Sequence, residues 1–149
     1  MATTRHMVRS LVTKPNRVVV ARAEPGEDIL EAIERAAADN GIRTGQFSAI
    51  GALAKATLGF FNRETASYQE TTIVNDLEIV SCSGSITTFE GSLIVHAHIV
   101  VADAHGLCYG GHVRKGCEVS VTLEISIIEM EREIRRKKDK ATGLNLMDI

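Results

Sequence analysis

The chain has 149 residues, a formal net charge of -2 and 24% charged residues. That is the size and balance of a single globular domain, able to bury a core without disulfide or metal staples. Trp is absent and aromatic residues make up only 4%, so the core must come from Val, Ile, Leu and Ala, and readings based on aromatic stacking of bases are weakened.

The chain opens on a basic lead. Residues 1–22 carry Arg5, Arg9, Lys14, Arg17 and Arg22 with no acid among them. This start lacks the continuous apolar stretch of a signal peptide, and no apolar run approaches the ~20 residues that span a bilayer. A cytoplasmic protein without membrane contact is therefore expected. Residues 1–16 read as a flexible basic arm, and His6 falls within it.

Residues 17–23 (RVVVARA) predict a strand, broken by Glu24-Pro25-Gly26. A helix follows, with Glu27 and Asp28 in its first turn, where carboxylates favour the exposed N–H groups and the helix dipole. Ile29, Leu30, Ile33, Ala36 and Ala37 recur at helical spacing, and Asn40-Gly41 ends the helix. The remainder reads as strands. Phe47–Ile50 and Ala56–Phe61 flank Gly51, and Tyr68–Val74 precedes a turn at Asn75-Asp76. Leu77–Thr87 holds Gly84, a sign of a bend or a close backbone approach. Glu90-Gly91 is a turn, Ser92–Val101 a clear strand, and Cys117–Met130 alternates apolar and polar before a charged tail. One early helix followed by successive strands predicts an α+β single domain, a largely antiparallel sheet with a flanking helix. The domain is expected over 17–130, with residues 131–149 a charged C-terminal tail of the same unit.

Four of the five histidines fall in LIVHAHIVVADAHGLCYGGHV. Alternate side chains share a strand face, so Leu93, Val95, Ala97, Ile99 and Val101 belong to the core. His96 and His98 then share the opposite face, about 6–7 Å apart along the strand. If the next segment pairs back as a hairpin, Gly110-Gly111 delivers His112 to the same point. Three neutral imidazoles with an open fourth position are the usual ligand set of catalytic zinc, and other divalent first-row metals suit it too. The competing reading makes His96 and His98 ordinary half-exposed sheet residues. His105 lies in the turn and is left out.

Glu124 stands mid-strand with Glu118, Ser120, Thr122 and Ser126 on the face opposite Val119, Val121, Leu123, Ile125 and Ile127. It is a candidate catalytic carboxylate, as an acceptor that orients a ligating histidine or as a general base on metal-bound water. Its bland reading is a solvated carboxylate paired with Lys55 or Arg114. Cys82, Cys108 and Cys117 form no CxxC pair and are odd in number, which fits reduced thiols; only Cys108 lies where a thiol could approach the metal. No GxxxxGK[ST], GxGxxG, GxSxG or HExxH motif is present, so ATP, dinucleotide and serine-hydrolase readings have no support.

The order of these features resembles a known family. PGEDILEAIERAAADNGI, FSAIGALAKATLGFF, Tyr68, LEIVSCSGSI, HAHIVVADAHGLCYGGHV and VTLEI are similar to successive blocks of the PPC (DUF296) domain family, bacterial stand-alone type. Asp139 with Thr142-Gly143-Leu144 is similar to the end of bacterial members. The resemblance implies one sheet with a flanking helix, assembled as a homotrimer, and metal bound by His96, His98 and His112. Members are also described as DNA-binding, with the plant domains joined to AT-hooks. No Arg-Gly-Arg-Pro core occurs here, and the acidic middle of the chain does not favour phosphate. Two functions are thus expected: a trimeric metal-binding protein acting on or binding a small molecule, by hydrolase or lyase chemistry, or a regulatory protein contacting DNA or a partner through its basic ends.

Overall fold

The computed structural model describes residues 8–149. Its elements in chain order are β1 (Pro15–Ala23), α1 (Ile29–Asp39), β2 (Gly45–Asn62), β3 (Ser67–Phe89), β4 (Ser92–Ala102), β5 (Cys108–Val113), β6 (Glu118–Met130), β7 (Arg136–Lys138) and β8 (Asn145–Met147). The first strand begins two residues before the expected boundary. The chain ahead of it is tied down as well: the Glu131 amide donates to the Lys14 carbonyl at 2.9 Å, and the Arg132 amide to Thr13 Oγ1 at 3.2 Å.

The helix forms where the sequence places it, with one shift. Asp28 is the N-cap rather than a first-turn residue: its backbone is extended, and its Oδ1 accepts from the amides of Leu30 and Glu31. Such a cap is worth about 1 kcal/mol. Its second oxygen accepts from the Gly116 amide at 2.7 Å, which anchors the helix to the approach of β6. Ile29, Ala32, Ile33 and Ala37 are buried beneath it.

Six strands form one antiparallel sheet in the order β1-β6-β2-β3-β4-β5, and β5 also pairs with β2, so β2, β3, β4 and β5 close into a ring. The seam of that ring consists of Leu58 opposite Val113 and Gly59 opposite His112. The core lies on the inner face, where β4 contributes Ala97, Ile99 and Val101 and β6 contributes Leu123, Ile125 and Ile127. Burying each large aliphatic side chain stabilises the fold by roughly 1.5–3 kcal/mol before entropy is counted.

Two expected breaks are absent. β2 runs unbroken through Gly51, and β3 runs through Asn75-Asp76 without turning. Between Leu53↔Leu77 and Lys55↔Val74, β2 advances two residues while β3 advances three. The turn-prone pair is thus absorbed as an extra residue in a bulge. Asn75 and Asp76 favour turns by local hydrogen bonding, but a long partner strand supplies a ladder that overrides the propensity.

The turn at Glu90-Gly91 forms as expected. Both residues have positive φ, the signature of the two-residue hairpin turn whose twist matches its strands. It fixes the β3–β4 register, placing Ser85 opposite His96 and Ser83 opposite His98. Gly84, between those serines, is a close approach: a Cβ there would stand 2.0 Å from the His96 carbonyl oxygen and 2.7 Å from Phe47 Cζ.

All three cysteines are free. Cys82 and Cys117 are buried and Cys108 is exposed. Burial pushes the Cys82 thiol up to about 12 and raises that of Cys117 as well. Since the thiolate is the nucleophile, iodoacetamide at pH 8 should alkylate Cys108 alone in the native protein. Mass spectrometry showing equal labelling of Cys82 would contradict the packing.

Candidate metal centre

β4 carries its apolar residues inward, so His96 and His98 necessarily face out. The β4–β5 turn is built on Asp103, whose Oδ1 accepts from the amides of His105 and Leu107 at 2.9 and 3.0 Å. β5 returns in a register that sets His112 directly opposite His98. The ring centroids then lie 5.3 Å apart for His96–His98, 5.0 Å for His96–His112 and 5.3 Å for His98–His112. One nitrogen from each ring falls within 4.8 Å of the other two. Ligands around a tetrahedral zinc with bonds of 2.0–2.1 Å stand about 3.3 Å apart, so small side-chain rotations bring the three into coordination distance.

Two properties fit these rings to a cation. The Nδ1 of His112 is buried and has no hydrogen-bond partner, which costs free energy unless something outside the protein satisfies it. Burial, reinforced by the positive fields of His96, His98, Arg114 and Arg136, depresses His112 to about 4, and burial followed by Arg136 lowers His96. Both rings are therefore neutral at physiological pH, the form that offers a lone pair to a metal. The approach of β5 to β2 is tight, since a Cβ on Gly111 would meet the Gly59 carbonyl oxygen at 3.1 Å. This is the close fit expected of the glycine pair beside His112.

Glu124 is not brought to this cluster. It is exposed on β6, opposite Arg22 of β1 and Ile50 of β2. β2 and β3 lie between β6 and β4, and β2 lies between β6 and β5, so neither strand that carries the histidines is a neighbour of β6. The alternation along β6 holds for Val119, Leu123, Ile125 and Ile127, which are buried, but fails at Val121, which is exposed where the β2–β6 register shifts between Leu123 and Val119. The neighbours differ too, because β6 sits between β1 and β2. Nor does it pair as the bland reading expects: Lys55 meets Glu118 at 3.7 Å, and Arg114 meets Glu70 at 2.6 Å. Among the described residues the cluster holds only the three histidines, so Cys108 stays outside it. His105 is exposed in its turn, and His6 lies outside the described residues.

Three further residues shape the site without having been singled out for it. Tyr68 stacks on His112 with centroids 4.9 Å apart and 29° between planes, and the Arg114 guanidinium lies over the Tyr68 ring, 5.0 Å from its centroid. Arg136 reaches in from β7, its Nη2 3.4 Å from His96 Nδ1. These residues and both histidines line a cavity of about 270 Å3, walled by Ile94, Val95, Leu144, Asn145 and Leu146. Nothing in the run RRKKDK distinguishes Arg136 from its solvated neighbours. The signal lies further on, in the Asp139 turn, where the Gly143 and Asp139 amides bond to the carbonyls of Asp139 and Leu144 and fold β8 back on β7.

Known proteins share this architecture. The metal-containing protein of Archaeoglobus fulgidus superposes with a TM-score of 0.87 at 27% identity, covering 95% of this chain and 100% of that one. A plant- and prokaryote-conserved (PPC) protein of Pyrococcus horikoshii gives 0.87 at 29% identity, covering 96% and 98%. The bifunctional protein GlmU of Synechococcus sp. (strain JA-3-3Ab) is 38% identical over 135 residues, 89% of this chain but 20% of GlmU. The chain thus spans about a fifth of that curated relative. The model of the Plants and Prokaryotes Conserved (PCC) domain matches residues 11–131, and with the fold and the resemblance in agreement, this chain belongs to that family.

Proposed function

We propose that this is a homotrimeric metal-binding protein whose His96, His98 and His112 hold a divalent first-row ion, zinc first among them, and that the cavity beside them takes a small molecule. The observation that carries the reading is the convergence of three imidazole nitrogens within 4.8 Å of one another, one ring carrying a buried nitrogen without a partner. The metal-containing description of the Archaeoglobus relative supports it. A bound divalent ion would polarise a carbonyl or activate water, which suits hydrolase or lyase chemistry. The chain's own contribution is to keep the rings of His96 and His112 neutral, to fix His112 by stacking on Tyr68, and to shield one side of the site with Ile94 and Leu146.

Trimerisation is supported by the outward surface of the sheet. Val18 and Val20 of β1, Val121 of β6, Ile50 of β2, Val80 of β3 and Val100 of β4 stand exposed on successive strands of the sheet, a spread of apolar side chains that a second copy would cover. DNA contact through the basic ends is less well supported. Arg17 pairs with Glu129, Arg22 with Glu24, Arg135 with Glu133 and Lys137 with Asp148, so much of that charge is already neutralised. No helix among the described residues is long and apolar enough to cross a membrane.

The test joins metal analysis to mass measurement. Protein stripped with chelator and reloaded should take up one zinc per chain and sediment as a trimer. Uptake that is undiminished in His96→Ala would remove the site, and a monomer at micromolar concentration would remove the assembly.

A further inference from the structure

Arg136 is held unlike the other cations around the site. Its Nε donates to Thr87 Oγ1 at 2.7 Å, its Nη1 to the Asn145 carbonyl at 2.8 Å, and its Nη2 to Ser85 Oγ at 3.3 Å and His96 Nδ1 at 3.4 Å. None of the four partners is a carboxylate. Arg114, which shares the cavity, is ion-paired with Glu70, and no carboxylate among the described residues lies within ion-pair distance of Arg136. The acids of its own hairpin are engaged elsewhere, Asp139 with Thr142 and Asp148 with Lys137. A half-buried guanidinium fixed by neutral acceptors and left without a counter-ion is costly. The cost is reasonable only where an anion arrives from outside, and the fixed fork then has little entropy left to lose.

We propose that Arg136 is the anion-recognition residue of the cavity, and that the ligand is a small carboxylic acid whose carboxylate rests on Arg136 while its short apolar body lies against Ile94, Leu144 and Leu146. The proposal rests on the metal-site reading for its second point of attachment, since a divalent ion on the histidines adds positive charge beside a cation that is already unpaired. Carboxylate is favoured over phosphate by the donor supply. With Arg114 committed to Glu70, the cavity offers one guanidinium and no lysine, glycine-rich loop or helix start. Of the five N–H groups of Arg136 the four contacts leave one, on Nη1, a supply that suits one oxygen of a singly charged carboxylate better than a phosphate, which calls for several donors. The volume of about 270 Å3 suits a molecule of a few carbons.

The test uses butanoate, its neutral counterpart butanamide and inorganic phosphate as probes, on cobalt(II)-loaded and metal-free protein. Butanoate should perturb the visible spectrum of the cobalt protein saturably, and butanamide should not. In Arg136→Gln the affinity for butanoate should fall by about 10- to 100-fold, as expected for one charge-assisted contact, and Arg136→Lys should recover only part of it. Undiminished cobalt uptake by both variants shows that their folds and metal sites are intact. Equal butanoate affinity in wild type and Arg136→Gln would overturn the proposal while leaving the metal reading standing, and tighter binding of phosphate than of butanoate would overturn the carboxylate class. Should cobalt fail to bind wild-type protein, the metal reading falls separately. Butanoate titration of the metal-free protein then decides Arg136, and no difference between wild type and Arg136→Gln overturns its role.

Discussion

Replacing His112 by alanine is expected to lower zinc affinity by more than about 100-fold, beyond the 10- to 100-fold typical of losing an outer partner of a metal ligand. His112 is one of only three proposed ligands, and its ring faces both His96 and His98. The same substitution removes a buried nitrogen that has no partner, so the metal-free variant should keep most of its stability. The two effects separate cleanly. Isothermal titration should show zinc binding lost, while the melting temperature of the metal-free variant stays within a few degrees of wild type. Zinc added to wild type should raise its melting temperature, because a ligand bound only by the native state stabilises it by mass action, and the variant should show no such rise. A variant that still gains thermal stability from zinc would place the metal elsewhere.

Gly84→Ala is expected to be the more damaging change to the fold, although position 84 bears no chemistry. A Cβ there would lie 2.0 Å from the His96 carbonyl oxygen and 2.9 Å from the Ala97 Cα, both backbone atoms of the strand that carries His96 and His98. Relief requires β3 and β4 to separate or Phe47 to leave its place. Overpacking of this kind costs about 3 kcal/mol or more, which for a domain of this size lowers the melting temperature by roughly 6–12 °C. Zinc affinity should fall with it, since a shifted His96 no longer shares a point with His98 and His112. Ser83→Ala, one residue away on an exposed position, should change the melting temperature by about 1 °C or less. Equal stability of the two variants would contradict the strand approach described here.

The helix, the hairpin turns and the histidine cluster were legible in the sequence because each depends on residues close together in the chain. Asp28 caps through the amides of Leu30 and Glu31, two and three residues on. His96 and His98 share a face by alternation alone, and His112 reaches them through a turn whose bonds all return to Asp103. What was not legible depends on which strands become neighbours. Glu124 has the right alternation on β6, but only the strand order shows that β6 lies beside β1 and β2 rather than β4. Asn75-Asp76 carries turn chemistry, and the partner strand absorbs it into a bulge. Arg136 sits in a run of like charges, and its role follows from Thr87, Ser85 and Asn145, two of them about fifty residues earlier in the chain.

The pairing of Gly59 with His112 has a mechanical meaning. A strip of sheet has been rolled until its two ends touch, and the touch is only two residue pairs long. One of those four residues is an imidazole whose ring also faces across to the neighbouring strand. A divalent ion held there, as proposed, would rivet the shortest join of the ring, so that loading the centre and fastening the roll would be a single event.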